Sequence, residues 1–180
     1  MLTGVRHSGV IPLGLVLFAV VLSACGDPGV READENSQDV DYGTALSPVV
    51  SAMEQSLQIV EDTMTSIATN TTRYVNGEIS ESHMRLQMAD GGVIFTREGM
   101  VQEAILEKIA GISPPTRAER YHELMLEYAV LRKDATKLMG EALVNEEKKI
   151  MVAATDMQER ADLKNKEVVE EGLRLGYSHE

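Results

Sequence analysis

The chain has 180 residues, 43% of them hydrophobic but only 4% aromatic, with no Trp, one Cys and a formal net charge of -12. A single Cys rules out a disulfide within the chain, so stability has to come from packing, which a body of about 150 residues can supply from one core. The acidic balance argues against nucleic acid, which demands a basic surface, and against electrostatic adhesion to anionic lipid, which demands Lys/Arg clusters.

The first element is an apolar stretch from Val10 to Leu22 behind the basic Arg6, closed by Leu22-Ser23-Ala24-Cys25. It is shorter than the roughly 20 apolar residues that span a bilayer, and Pro12 and Gly14 interrupt it. Charge, short apolar core and small residues at the end form the pattern of an export signal. Together with Cys25, the segment resembles the lipobox signal peptide of bacterial lipoproteins. That resemblance implies cleavage after residue 24, a diacylglycerol on the Cys25 thiol and a mature chain held to the cell membrane or the outer membrane by lipid. A plain secretory signal is the main rival, but it leaves Cys25 without a purpose. Gly26, where Asp would signal retention, is compatible with outer-membrane delivery.

Residues 25–44 read as the lipidated Cys and an acidic flexible linker. The stretch GDPGVREADENSQDVDYG is poor in large apolar side chains, too poor to offset the entropy of ordering, and its carboxylates, Asp34, Asp39 and Asp41 among them, repel one another. The helical body is expected over residues 45–180.

Leu46, Val50, Met53, Leu57, Val60, Met64, Ile67, Thr71 and Tyr74 alternate at spacings of four and three, which predicts a long amphipathic helix. Ser47-Pro48 reads as its start and Asn76-Gly77 as its stop. A second helix is predicted from Ile79 or Ser80 to Ala110, with a kink or break at Asp90-Gly91-Gly92. Ser113-Pro114-Pro115-Thr116, with Glu119 at capping-box spacing from Thr116, predicts the start of a third. Its apolar line is Tyr121, Leu124, Tyr128, Leu131, Ala135, Leu138 and Ala142. Beyond it lies a segment from Glu146 to about Leu175. Either a turn at Val144-Asn145 separates the two, or they form one long helix with Asn145 as a polar core position.

Three to four long helices with short connections predict an all-α fold, an antiparallel up-down bundle. The body also resembles a loose group of bacterial lipoproteins with an all-helical body, through Gly77-Glu78-Ile79-Ser80 and through Pro114-Pro115 followed by His122. That resemblance implies a fold and an address but no activity.

Chemistry is sparse. Glu119-x-x-His122 has the spacing of di-iron bundle ligands, yet no second such motif faces it, Glu119 is accounted for as a cap and His122 is able to sit at the bundle surface. His83, Met84 and Met88 combine imidazole and thioethers that suit copper(I), but methionines on every helix read better as adaptable core filler. No metal site, cofactor or catalytic residue is assigned, and Cys25 is the one site residue, for lipidation. The expected role is a lipid-anchored envelope protein that binds or scaffolds an envelope partner and is not an enzyme. The alternatives are a structural coiled-coil homo-oligomer and, behind it, a copper- or iron-binding bundle.

Overall fold

The structure, a computed structural model, describes residues 32–177, with side-chain environments from residue 38. Cys25 and the stretch expected to be an export signal lie outside the described residues. Within them the chain forms four α-helices and one short 3-10 turn: α1 Glu32–Val75, α2 Glu81–Ala110, η1 Thr116–Ala118, α3 Glu119–Asn145 and α4 Lys148–Arg174. The fold is all-α.

Helix α1 corrects the expected linker. Residues 32–44 are helical, and Asp39, Tyr42 and Leu46 on this part of the chain are buried. The four-and-three alternation of the seam continues upstream of Leu46 through Tyr42 and Asp39, so the acidic composition concealed an amphipathic helix. Pro48, expected in the first turn, therefore sits in the helix interior on an exposed face. Interior proline costs about 3 kcal/mol. Burying Tyr42 and Leu46 returns about 1.5–3 kcal/mol each, enough to carry the helix through it.

Helix α2 starts at Ser80, whose Oγ accepts a hydrogen bond from the His83 backbone N–H at 3.2 Å, and it runs through Asp90-Gly91-Gly92 without the expected break. The glycines serve close packing. A Cβ on Gly92 would stand 2.6 Å from Val144 Cγ2 and 3.2 Å from the Gly140 carbonyl oxygen, and one on Gly140 would stand 2.9 Å from Thr96 Oγ1. The entropic cost of each glycine, about 0.5–1 kcal/mol, is offset by the contact this close approach allows.

The α2–α3 connection departs from the expected capping box. Pro115 is extended (φ -65°, ψ 154°), η1 follows it, and α3 begins at Glu119 without a side-chain cap. Between α3 and α4 the chain does turn. Glu146 takes a left-handed conformation (φ 55°) and its successor's N–H donates to the Ala142 carbonyl at 3.1 Å, while Asn145 is exposed. The long-helix alternative is thereby excluded. At the far end Gly176 (φ 79°) reverses the chain so that the Tyr177 N–H donates to the Gly172 carbonyl at 2.9 Å.

Successive helices pack side by side and antiparallel, giving an up-down-up-down bundle. Its core falls into three layers. At one end Tyr42, Leu46 and Val50 meet Ala118, Tyr121, Leu124, Val168 and Tyr177. The middle layer is Val49, Met53, Ile105, Ile109 and Ala129. The opposite end is Phe95, Met139, Leu143 and Ala154, with Val60, Ile67 and Met88 against them. The last turn of α1, including Tyr74 and Val75, is exposed, so the apolar seam outlasts its partners there.

Candidate functional site

Polar chemistry gathers at the first of these layers, where the start of α1, the α2–α3 connection and the chain's last described residues converge. Asp39 and Tyr42 come from α1, Arg117 from η1, Tyr121 and His122 from the first turn of α3, and Tyr177 from beyond α4. Each arrives by helical spacing: Asp39 and Tyr42 are three apart and share one face, while Tyr121 and His122 are adjacent and point to neighbouring partners.

The Tyr42 hydroxyl lies 3.1 Å from His122 Nδ1, and the two rings meet edge to face at 5.9 Å between centroids. Tyr121 and Tyr177 make a second edge-to-face pair at 5.3 Å. Arg117 reaches over this layer to pair with the buried Asp39 carboxylate. Burial pushes the Tyr42 and Tyr121 phenols above their ordinary range, and it does the same to Tyr177 with the negative field of Asp39 added. Burial also draws the His122 imidazole below its ordinary value. The phenols thus keep their protons and the imidazole is neutral at pH 7. The pair is satisfied when the Tyr42 O–H donates to an unprotonated Nδ1, with the imidazole proton on Nε2. Among the described residues Asp39 Oδ1 and the hydroxyls of Tyr121 and Tyr177 find no hydrogen-bond partner, so burying this layer carries a polar cost.

Beside the hub lies an open cleft of about 520 Å³ between α1 and the connection after α2. Tyr42 forms part of its floor. Ile112, Pro114 and Pro115 give it an apolar wall, and Asp41 and Ser113 supply polar rims. Two consecutive prolines have no backbone N–H to leave unsatisfied, so this part of the wall has no donor to desolvate against an apolar surface. The arrangement suits recognition of a mixed apolar and polar segment.

The residues singled out in the sequence do not converge. His83 is exposed on the first turn of α2, Met84 beside it is buried on another face, and Met88 packs against the Phe95 layer. Glu119 is exposed, whereas His122 is buried against Tyr42 and does not take the surface place open to it. Among the described residues no group of three or more His, Cys, Asp or Glu side chains is placed to hold a metal ion. Sequence reasoning missed Asp39, Tyr42, Arg117 and Tyr177; the spacing from Leu46 back to Tyr42 was the available signal.

A second buried charge serves the scaffold. Arg132 of α3 donates to Asp162 of α4 at 2.6 Å and to the Tyr128 hydroxyl at 3.1 Å, with its guanidinium 5.3 Å from the Tyr128 ring centroid. Ser56 and Gln102 join α1 to α2 by a buried hydrogen bond of 3.1 Å. Comparison with protein-family models, with curated proteins and with solved structures finds no match for this chain.

Proposed function

We propose that the protein is a lipid-anchored component of a bacterial cell envelope whose helical body binds or scaffolds a partner and performs no catalysis. The observation that carries this reading is the cleft at Tyr42, Pro114 and Pro115, set against a hub that fixes the start of α1. No helix among the described residues is long and apolar enough to cross a membrane, which leaves attachment, on this reading, to acyl chains on Cys25.

The described part of α1 starts at Glu32, seven positions after Cys25, and seven residues reach at most about 25 Å. The acidic segment therefore gives the body less reach than a flexible tether of the expected length. The cleft and hub, at the same end of the bundle as the start of α1, would face the membrane side of the assembly and meet a partner close to the bilayer.

Two experiments test the two halves separately. Cys25→Ser should move the chain from the membrane fraction to the soluble fraction and abolish incorporation of labelled palmitate; unchanged retention overturns the lipid anchor. A photo-crosslinking side chain at the exposed Ser113 should capture a protein partner in envelope extracts, and Tyr42→Ala should remove the adduct. Absence of any adduct overturns the binding role of the cleft.

A further inference from the structure

Helix α2 carries two apolar seams, and the bundle uses only one. Its inward face contributes Met84, Phe95, Ile105 and Ile109 to the core. On the opposite face Leu86, Val93 and Met100 recur every seven residues and are 58%, 67% and 62% exposed. Ala89 and Ala104, also exposed, widen the same line. A sustained seven-residue apolar repeat is the signature of a helix that packs against another helix. The outer face of α4 differs: Val152, Leu163 and Leu173 are isolated there by Asp156, Glu159, Lys166 and Glu170.

Charge identifies the occupant. Along the α2 line the ionised interruptions between Leu86 and Met100 are Asp90 and Arg97, opposite in sign and themselves seven residues apart. A parallel pairing of two copies sets Asp90 against Asp90 and Arg97 against Arg97, which repel. An antiparallel two-fold pairing centred near Val93 and Ile94 brings Asp90 of each copy within reach of Arg97 of the other, on both sides of the axis. From this self-complementarity we infer that the exposed line of α2 docks a second copy of this chain, antiparallel, through Leu86, Val93 and Met100. An isologous two-fold contact of this kind closes on itself and gives a dimer. It is independent of the cleft and of the lipid anchor.

The test uses the full chain with Cys25→Ser, which removes the competing thiol and any lipid. In that background Val93→Cys places a thiol at the axis, and the two thiols of the pair lie close together. Leu86→Cys places them about 20 Å apart at 1.5 Å of rise per residue. Mild oxidation should therefore link the Val93→Cys chain into a dimer and leave the Leu86→Cys chain largely unlinked. Light scattering of the Cys25→Ser chain should show a mass that rises with concentration to twice the monomer. Val93→Glu and, independently, Met100→Glu should weaken dimerisation by about tenfold or more with unchanged circular dichroism, because both positions are already in water in the monomer. Asp90→Arg should do the same by facing Arg97 across the axis; it is preferred to a change at Arg97, which also holds the buried Glu98 carboxylate at 2.9 Å. A monomer mass at every concentration, equal linking at both cysteine positions, or a dimer indifferent to Val93→Glu overturns the inference.

Discussion

The Tyr42 hydroxyl on α1 stands 3.1 Å from Nδ1 of His122 on α3, eighty positions away in the chain and inside a segment whose composition reads as unstructured. This contact ties the beginning of the first helix to the body. Tyr42→Phe, which leaves the ring in place, should lower unfolding free energy by about 1 kcal/mol for the lost hydrogen bond. Tyr42→Ala should cost about 3–5 kcal/mol, as removal of a buried aromatic ring does. Denaturant titration of the two variants separates the terms.

Deleting residues 26–43 follows from the same contact. A tether could be removed without effect on the body, but here the deletion takes away Asp39 and Tyr42 and exposes Tyr121 and Val168. A marked fall in Tm is expected; an unchanged Tm would show that the start of α1 contributes nothing to the core.

The neutral state of His122 makes stability depend on pH in one direction. Burial lowers its pKa in the folded protein relative to the unfolded chain, where it is about 6.5. Below that value the unfolded state binds more of this proton, so the stability it confers is complete above about pH 6.5 and is lost as pH falls through the lower folded pKa. The slope of unfolding free energy between pH 7 and 5 should flatten in His122→Gln, measured by urea titration at each pH.

The buried Arg132 and Asp162 form a charged link between α3 and α4. Asp162→Ala removes the carboxylate partner of a buried guanidinium, and because Asp162 itself is partly exposed the cost is expected at about 1.5–3 kcal/mol. Adding Arg132→Met should recover most of that loss, because the long apolar side chain fills the space without the charge. A double-mutant cycle by chemical denaturation checks the sign of the recovery.

Gly140→Ala tests the close approach of α2 and α3. Alanine gains up to about 1 kcal/mol in helix propensity, but its Cβ would meet Thr96 N at 3.1 Å and the Gly92 carbonyl oxygen at 3.2 Å, backbone atoms that yield little. A net loss of about 1–3 kcal/mol is expected from overpacking, visible as a lowered Tm.

Helix type and order were legible because the apolar residues of each segment repeat at three and four, and only a helix places such positions on one face. The glycines in α2 misled, since an isolated glycine pair weakens a helix unless another helix comes close, and Gly140, which comes close, lies some fifty residues away. The start of α1 misled for the same reason. Asp39 looks like a solvated carboxylate until Arg117 is placed beside it, and Tyr42 looks like a lone aromatic until His122 and Tyr121 surround it. The polar hub is a product of tertiary proximity, carried in sequence only by the spacing of Tyr42 from Leu46.

The hub also makes the first helix depend on the far end of the described chain. Most helix contacts in this bundle join neighbours in sequence, which favours rapid assembly. The layer containing Tyr42, Tyr121 and Tyr177 is different, because it joins the first helix to residues beyond the last. Until Tyr177 arrives, the ring of Tyr121 lacks its edge-to-face partner and one side of the layer stays wet. A chain interrupted anywhere before Gly176 therefore lacks Tyr177 and stays unfinished at the end that carries the cleft.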